Sequence, residues 1–416
     1  AIKLAKEYDV PIILDPVGCH AGAYRLSVVL DLIKTGSISL LRGNQSEVKA
    51  VYDALSSDNK DENSPLGKGV DGAQVADSAI IAYRLARLIN CPVVATGKED
   101  YVSDGTRVFA VPHGHSIMTA VTGTGCLLGA VLAAFFGIYD SFKDSLSTGE
   151  FLAYALAYYG LAGESAVKVS GIKPGSFSIA FMDALYTLDD EVLVSENRVR
   201  PVVVPDQLQV YFVCGTQDTE LNKKRLLEIV EDACRGGITC FQYREKGDGT
   251  LEGQQKLELA QQLQHICAKY HVLYIINDDV ELAVAVNADG IHVGQDDMCL
   301  EDVRNIVGHK IVGISIHSIE ELHKTDVLYA DCVGVGPMYT TSSKPDAQEP
   351  CGPERTAELQ AEGLTLPCVG IGGITIDNAM AVLRAGACGV AVISAIAHAE
   401  KPYEAVRQFK ELASSL

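Results

Sequence analysis

The chain has 416 residues, 48% of them apolar and 21% charged, with 38 glycines and no low-complexity tract. At roughly 100–200 residues per domain this length predicts two or three domains, each able to bury a core, and excludes a disulfide-stapled miniprotein or a disordered or fibrous chain. Against 54 Asp and Glu stand 34 Lys and Arg, a formal net charge of -20 with no basic cluster, so nucleic acid and anionic membrane are poor partners.

Any phosphate ligand must then be held by a few local cations, backbone amides or a metal. The twelve cysteines include no C-x-x-C pair, and several, such as Cys240, Cys332 and Cys368, sit in apolar runs. That pattern predicts reduced, buried thiols in a cytoplasmic protein and gives no zinc signature. The longest uncharged apolar run, Cys126 to Tyr139, is about 14 residues, short of the roughly 20 that span a bilayer. No signal peptide is expected.

The opening AIKLAKEYDVPIILDP reads as the tail of a helix running into a buried strand, so a preceding segment is expected to be missing. Strands follow at Pro11–Leu14, Ile38–Leu41 and Val93–Thr96, and Tyr101–Ser103 and Arg107–Ala110 form a hairpin around Asp104-Gly105. A helix is predicted from Cys126. Glycine-rich or polar signals stand at or after the strand ends: DPVG (15–18), RGNQSE (42–47), ATG (95–97), SDG (103–105) and, before the helix, VTGTGC (121–126). A glycine turn entering a helix presents unpaired N–H groups and the positive end of the helix dipole, which suits an anion. Residues 195–206, SENRVRPVVVPD, carry two prolines and no amphipathic period, which predicts a linker between domains 1–194 and 207–416.

Beyond it, eight apolar strands alternate with amphipathic stretches: Val210–Cys214, Thr239–Tyr243, Val272–Ile276, Gly290–Val293, Ile311–Ser315, Cys332–Val335, Cys368–Ile371 and Gly389–Ile393. Helical patterns include Lys223–Arg235, Gln254–Tyr270, Asp377–Ala385 and Tyr403–Leu412. Eight βα units in about 210 residues predict a C-terminal (β/α)8 barrel, with an open doubly wound sheet as the alternative. In such a barrel the site lies where strands end. Those positions hold Gln242, Arg244 and Lys246; Asn277 and Asp278; Gln295, Asp296 and Asp297; Ser315; Thr341, Ser343 and Lys344; Gly372 and Gly373; and Ser394. Asp278 and Asp297 offer hard oxygens for Mg²⁺, Arg244, Lys246 and Lys344 can neutralise a diphosphate, and the Gly372-Gly373 turn with the eighth strand end suits a monophosphate. The long polar stretch MYTTSSKPDAQEPCGPE predicts a lid carrying Lys344.

FQYREK, IINDD, ADGIHVGQDD, VGVGPMYTTSSK, VGIGGIT and GVAVISAI, in this order, resemble the thiamine phosphate synthase family across the C-terminal half. The resemblance implies joining of hydroxymethylpyrimidine diphosphate to a thiazole phosphate with release of pyrophosphate. It makes Asp278 and Asp297 Mg²⁺ ligands and puts Gln242, Arg244, Lys246 and Asn277 on the pyrimidine and diphosphate. Ser315 and Lys344 join the diphosphate side, and Thr341, Ser343, Gly373, Val392 and Ser394 surround the thiazole phosphate. Where the family more often has a second threonine this chain has Ser343, which keeps a hydroxyl.

The first-half motifs together resemble the hydroxyethylthiazole kinase branch of the ribokinase-like α/β fold. There the resemblance implies an anion hole at the GTGC loop, with Gly123 against the phosphate and Cys126 as the base, its pKa lowered by the helix start. Arg42 and Thr96 would contact ATP, and Asp15 and Glu47 would lie near Mg²⁺. Part of the thiazole pocket is expected to be missing with the preceding segment, so this domain is expected to be N-terminally truncated and to phosphorylate free thiazole alcohol poorly. The implied protein is a bifunctional transferase and homo-oligomer using ATP and Mg²⁺. The alternatives are a thiazole-phosphate isomerase-like barrel, or a non-catalytic ligand-binding protein with a decayed kinase half.

Overall fold

Neighbouring apolar residues on an extended strand point to opposite faces, and a sheet that buries both faces needs a helical layer on each. The computed structural model describes residues 2–8, 10–58, 75–143, 145–341, 343 and 348–415. It divides into two compact units between Val202 and Val203.

Among its described residues the first unit contains six strands: β1 (Ile13–Leu14), β2 (Leu40–Asn44), β3 (Val93–Thr96), β4 (Asp100–Ser103), β5 (Val108–Val111) and β6 (Arg200–Pro201). They lie side by side in chain order. The β1–β2 and β2–β3 pairs are parallel and the rest antiparallel. Leu40, Val94, Val102 and Phe109 pack on one side with helices Thr124–Phe136, Thr148–Ser170 and Pro174–Thr187. Leu41, Val93 and Ala95 pack on the other with helices Ala23–Lys34, Gln45–Asp58 and Val75–Ile89. The result is an α/β/α layering.

The stretch 195–206 is not a free linker. Val199 is buried, Arg200 and Pro201 pair with Ala110 and Phe109, and the Val202 N–H donates to the Val108 carbonyl at 2.9 Å. Proline is tolerated there because β6 is the sheet edge, where a missing N–H breaks no ladder. Val203 and Leu208, with the short turn Pro205–Leu208, already belong to the second unit's core.

The second unit is a closed barrel of eight parallel strands: β7 (Val210–Cys214), β8 (Cys240–Tyr243), β9 (Leu273–Asn277), β10 (Gly290–Val293), β11 (Ile311–Ile316), β12 (Cys332–Val335), β13 (Cys368–Ile371) and β14 (Gly389–Val392). Closure is made by β14 on β7, with Val390 beside Val210 and Val392 beside Phe212. Phe212, Phe241, Tyr274, Ile291, Val312 and Val390 face the surrounding helices. Tyr211, Val213, Leu273, Ile275, Ile311 and Val369 fill the interior with Val203 and Leu208. No helix among the described residues is long and apolar enough to cross a membrane.

Candidate active sites

Along the barrel's inward positions the side chains change from apolar to polar toward the C-terminal strand ends. Cys240 is followed inward by Gln242, Leu273 and Ile275 by Asn277, and Ile311 by Gly313 and Ser315. These ends open into a cavity of about 310 Å³ lined by Gln242, Arg244, Lys246, Asn277, Asp278, Asp297, Ser315, Thr341, Ser343, Gly373, Val392 and Ser394. Every barrel residue singled out above therefore meets in one place, apart from Lys344, which lies outside the described residues, as does part of the expected lid. The return of that loop is tied down where Cys351 and Gly352 donate to the Pro337 and Met338 carbonyls at 2.9 and 3.2 Å.

One side of the cavity is charged. The Lys246 ammonium donates to Asp278 Oδ2 at 2.7 Å, which raises the lysine pKa. Burial pushes the Asp278 carboxyl above the usual range, the neighbouring Asp297 carboxylate adds to that, and Lys246 opposes it. Asp278 holds a left-handed backbone, φ 59°, and its N–H donates to the His292 carbonyl at 2.9 Å, which aims the carboxylate over the barrel mouth. Asp297 Oδ2 accepts from the Gly294 N–H at 2.7 Å, so the turn after β10 is closed by the carboxylate itself.

On the opposite side Gly372 and Gly373 both have positive φ, 95° and 63°, a conformation that a side chain would strain. The Asn378 amide donates to the Gly373 carbonyl at 3.0 Å and holds the turn in shape. The short helix Ser394–Ala397 starts beside it. Backbone N–H groups at such a turn and helix start suit a phosphate.

The lining also holds polar side chains that the strand-end pattern does not single out, among them Tyr211, His292, His317, Glu321 and Gln348. Gln242 Nε2 donates to the Tyr211 hydroxyl at 2.9 Å. His292 Nε2 lies 3.0 Å from Ser315 Oγ while its buried Nδ1 has no hydrogen-bond partner, and burial lowers its pKa to about 4. The ring fits because Gly313 and Gly334 flank it: a Cβ on Gly313 would lie 2.4 Å from Nδ1. The available signal was a histidine inside an apolar strand; Gly313 stands directly beside it in register on β11, and Gly334 on β12 lies against the ring.

In the first unit the helix Thr124–Phe136 begins two residues before Cys126, because Gly123 at φ 99° supplies the left-handed cap. Cys126 is exposed in its first turn. The Arg42 guanidinium is buried, pairs with Asp15 Oδ2 at 2.8 Å, and lies against Gly125, whose Cβ would be 3.3 Å from Nη2. Burial raises the Asp15 pKa, and Arg42 opposes the shift. Thr96 donates to the Gly43 carbonyl at 3.3 Å. Glu47 is placed differently from a simple metal ligand: its two oxygens accept from the Gly18 and Asn44 N–H groups at 2.7 and 2.8 Å, so it braces the DPVG turn. Asp100, not singled out from sequence, caps Gly97 at 2.8 Å and is pushed up by burial to about 7.

A barrel whose mouth joins a cation–carboxylate face to a glycine turn, in a chain that also carries an α/β/α unit with a glycine-capped helix start, defines a transferase acting on phosphorylated small molecules. Comparison with known proteins gives the particular family. Residues 210–396 match the thiamine monophosphate synthase family and residues 1–191 the hydroxyethylthiazole kinase family. The chain is 34% identical over 415 residues to the thiamine biosynthesis bifunctional protein ThiM/ThiE of Symbiobacterium thermophilum, covering 97% of this chain and 81% of that one. It is 49% identical over 205 residues to the thiamine-phosphate synthase of Geobacillus thermodenitrificans, 49% of this chain and 91% of the relative. A solved thiamine phosphate pyrophosphorylase from Pyrococcus furiosus is 31% identical over 50% of this chain and 96% of its own, with a TM-score of 0.45. The chain belongs to the family of bifunctional thiamine-biosynthesis proteins that join a hydroxyethylthiazole kinase domain to a thiamine-phosphate synthase domain.

Proposed function

We propose that the barrel condenses hydroxymethylpyrimidine diphosphate with hydroxyethylthiazole phosphate, breaking the carbon–oxygen bond to the diphosphate, bonding the pyrimidine methylene to the thiazole, and releasing pyrophosphate. The observation that carries this is the division of one cavity into a cationic, carboxylate-bearing side and a glycine-turn side. Departure of pyrophosphate leaves positive charge on the methylene and negative charge on the leaving group. Arg244 and Lys246, with Lys344, neutralise the latter, and fixed charges aimed at developing charge are usually the largest catalytic contribution. Gln242 and Asn277 orient the pyrimidine, and Ser315 supports the diphosphate. Thr341, Ser343, Gly373, Val392 and Ser394 hold the thiazole phosphate.

Mg²⁺ fits beside Asp278 and Asp297, since the Asp297 carboxylate lies close enough to raise the proton affinity of Asp278 and the two together offer hard-oxygen donors. When bound it supplies further charge neutralisation to the diphosphate. No group of three His, Cys, Asp or Glu among the described residues could hold a metal alone, which suits a site completed by substrate oxygens.

In the first unit the reading is ATP-dependent phosphorylation of the thiazole alcohol. Arg42 and Thr96 meet the nucleotide, Gly123 and the helix start receive the transferred phosphate, and Cys126 takes the alcohol proton. Asp15 lies on the Mg²⁺ side, and Glu47 reaches it only through the turn it braces. All twelve thiols are free, which suits a cytoplasmic setting, and assembly of several copies belongs to the same reading. Pyrophosphate release measured with each substrate alone and with both tests the barrel: release only with both is expected, and release from the pyrimidine diphosphate alone would refute condensation.

A further inference from the structure

Glu245 stands between the two cavity cations and faces away from them. Successive residues at an extended strand end project to opposite sides, so Arg244 and Lys246 line the cavity while Glu245 turns to the loop after β7. There its Oε2 accepts from the Thr216 N–H at 3.0 Å, and its Oε1 accepts from the Thr216 hydroxyl and from the Leu251 N–H at 2.9 Å. The two loops are laced further. Gln217 Nε2 donates to the Arg244 carbonyl at 2.7 Å, and the Arg244 N–H donates to the Cys214 carbonyl at 3.1 Å. Gly215 packs so closely that a Cβ there would lie 1.9 Å from the Arg244 carbonyl oxygen.

We propose that Glu245 is a positioning residue for diphosphate binding: by clamping the β8 loop to the β7 loop through Thr216 it holds Arg244 and Lys246 facing the cavity. This rests on the reading that these two residues meet the diphosphate. Two cations two residues apart repel, and long Arg and Lys side chains lose much freedom when fixed, so without a clamp the loop would splay and present them poorly. A carboxylate accepting three hydrogen bonds meets that need from behind, leaving the cavity face free for phosphate oxygens.

The test uses the full chain, with inorganic pyrophosphate plus Mg²⁺ as the calorimetric probe and steady-state kinetics alongside. Glu245→Ala is expected to weaken pyrophosphate about tenfold and to raise KM for the pyrimidine diphosphate similarly, with KM for the thiazole phosphate within about twofold. Glu245→Gln, which keeps one acceptor oxygen, should recover most of the loss. Thr216→Val leaves the carboxylate in place and removes only the hydroxyl donor, so it bears on the clamp even if the alanine variant does not fold; about threefold weaker pyrophosphate binding is expected. Unchanged pyrophosphate affinity in a folded Glu245→Ala or in Thr216→Val, or equal increases in both KM values, would overturn the positioning role. Wild-type protein that binds no pyrophosphate would overturn the diphosphate reading and this role with it. Wild-type protein that binds pyrophosphate but makes no product, together with a weakened Glu245→Ala, would overturn only the proposed reaction.

Discussion

Acidification should destabilise the barrel through His292. The imidazole sits at the barrel interior with Nδ1 unpartnered against Gly313, and burial holds its pKa near 4 against an ordinary 6.5. The folded barrel therefore resists taking up a proton that the unfolded chain accepts, so the neutral ring's contribution is fully present above pH 6.5 and is lost as the pH falls toward 4. Moving the pKa from 6.5 to about 4 corresponds to about 3 kcal/mol at 25 °C. His292→Gln keeps a donor that can reach Ser315 but cannot titrate, so the stability of wild type relative to the variant should fall by about that amount between pH 6.5 and 4. Because the two units need not unfold together, the measurement is amide hydrogen exchange of the β9–β11 peptides across this pH range, with the His292 ring proton followed by NMR. Parallel pH profiles for wild type and variant, or a ring titrating near 6.5, would refute the reasoning.

Gly313→Ala should act on the same ring sterically, since its methyl would lie 2.4 Å from Nδ1; a loss of about 1–3 kcal/mol in barrel stability by urea unfolding is expected, and an unchanged midpoint would show the ring has room to move. Asp297→Ala should lower synthase turnover about a hundredfold, about 2.7 kcal/mol of transition-state stabilisation, and near-wild-type rates at limiting Mg²⁺ would remove it from the metal side. Alkylation at pH 8 should modify Cys126 and Cys299 quickly, because these two are exposed, while Cys91 and Cys368, pushed up to about 12 by burial, stay protonated and slow. Peptide mapping after brief iodoacetamide treatment checks this, and early modification of Cys91 would contradict it.

The eight barrel strands and the polar positions after them were legible in the chain alone. Parallel strands buried on both faces are runs of Val, Ile, Cys and Ala, and the chemistry is confined to the residues that follow, so Gln242, Asn277, Asp278 and Ser315 announce themselves by breaking the run. The same double burial hides which way each side chain faces. Ile291 and His292 are neighbours in one strand, and only closure of the barrel, with Gly313 and Gly334 beside the ring, sends the isoleucine to the helices and the histidine to the cavity. Glu245 lies inside a motif that reads as a set of cavity charges, yet its partner Thr216 is 29 residues away. Arg200 and Pro201 have no strand pattern of their own and become an edge because β5, about 90 residues earlier, offers an open ladder. Local sequence thus determined where strands run and where polar groups begin; tertiary structure decided facing, long-range clamping and the true edge of the first sheet, because each depends on a partner distant in the chain.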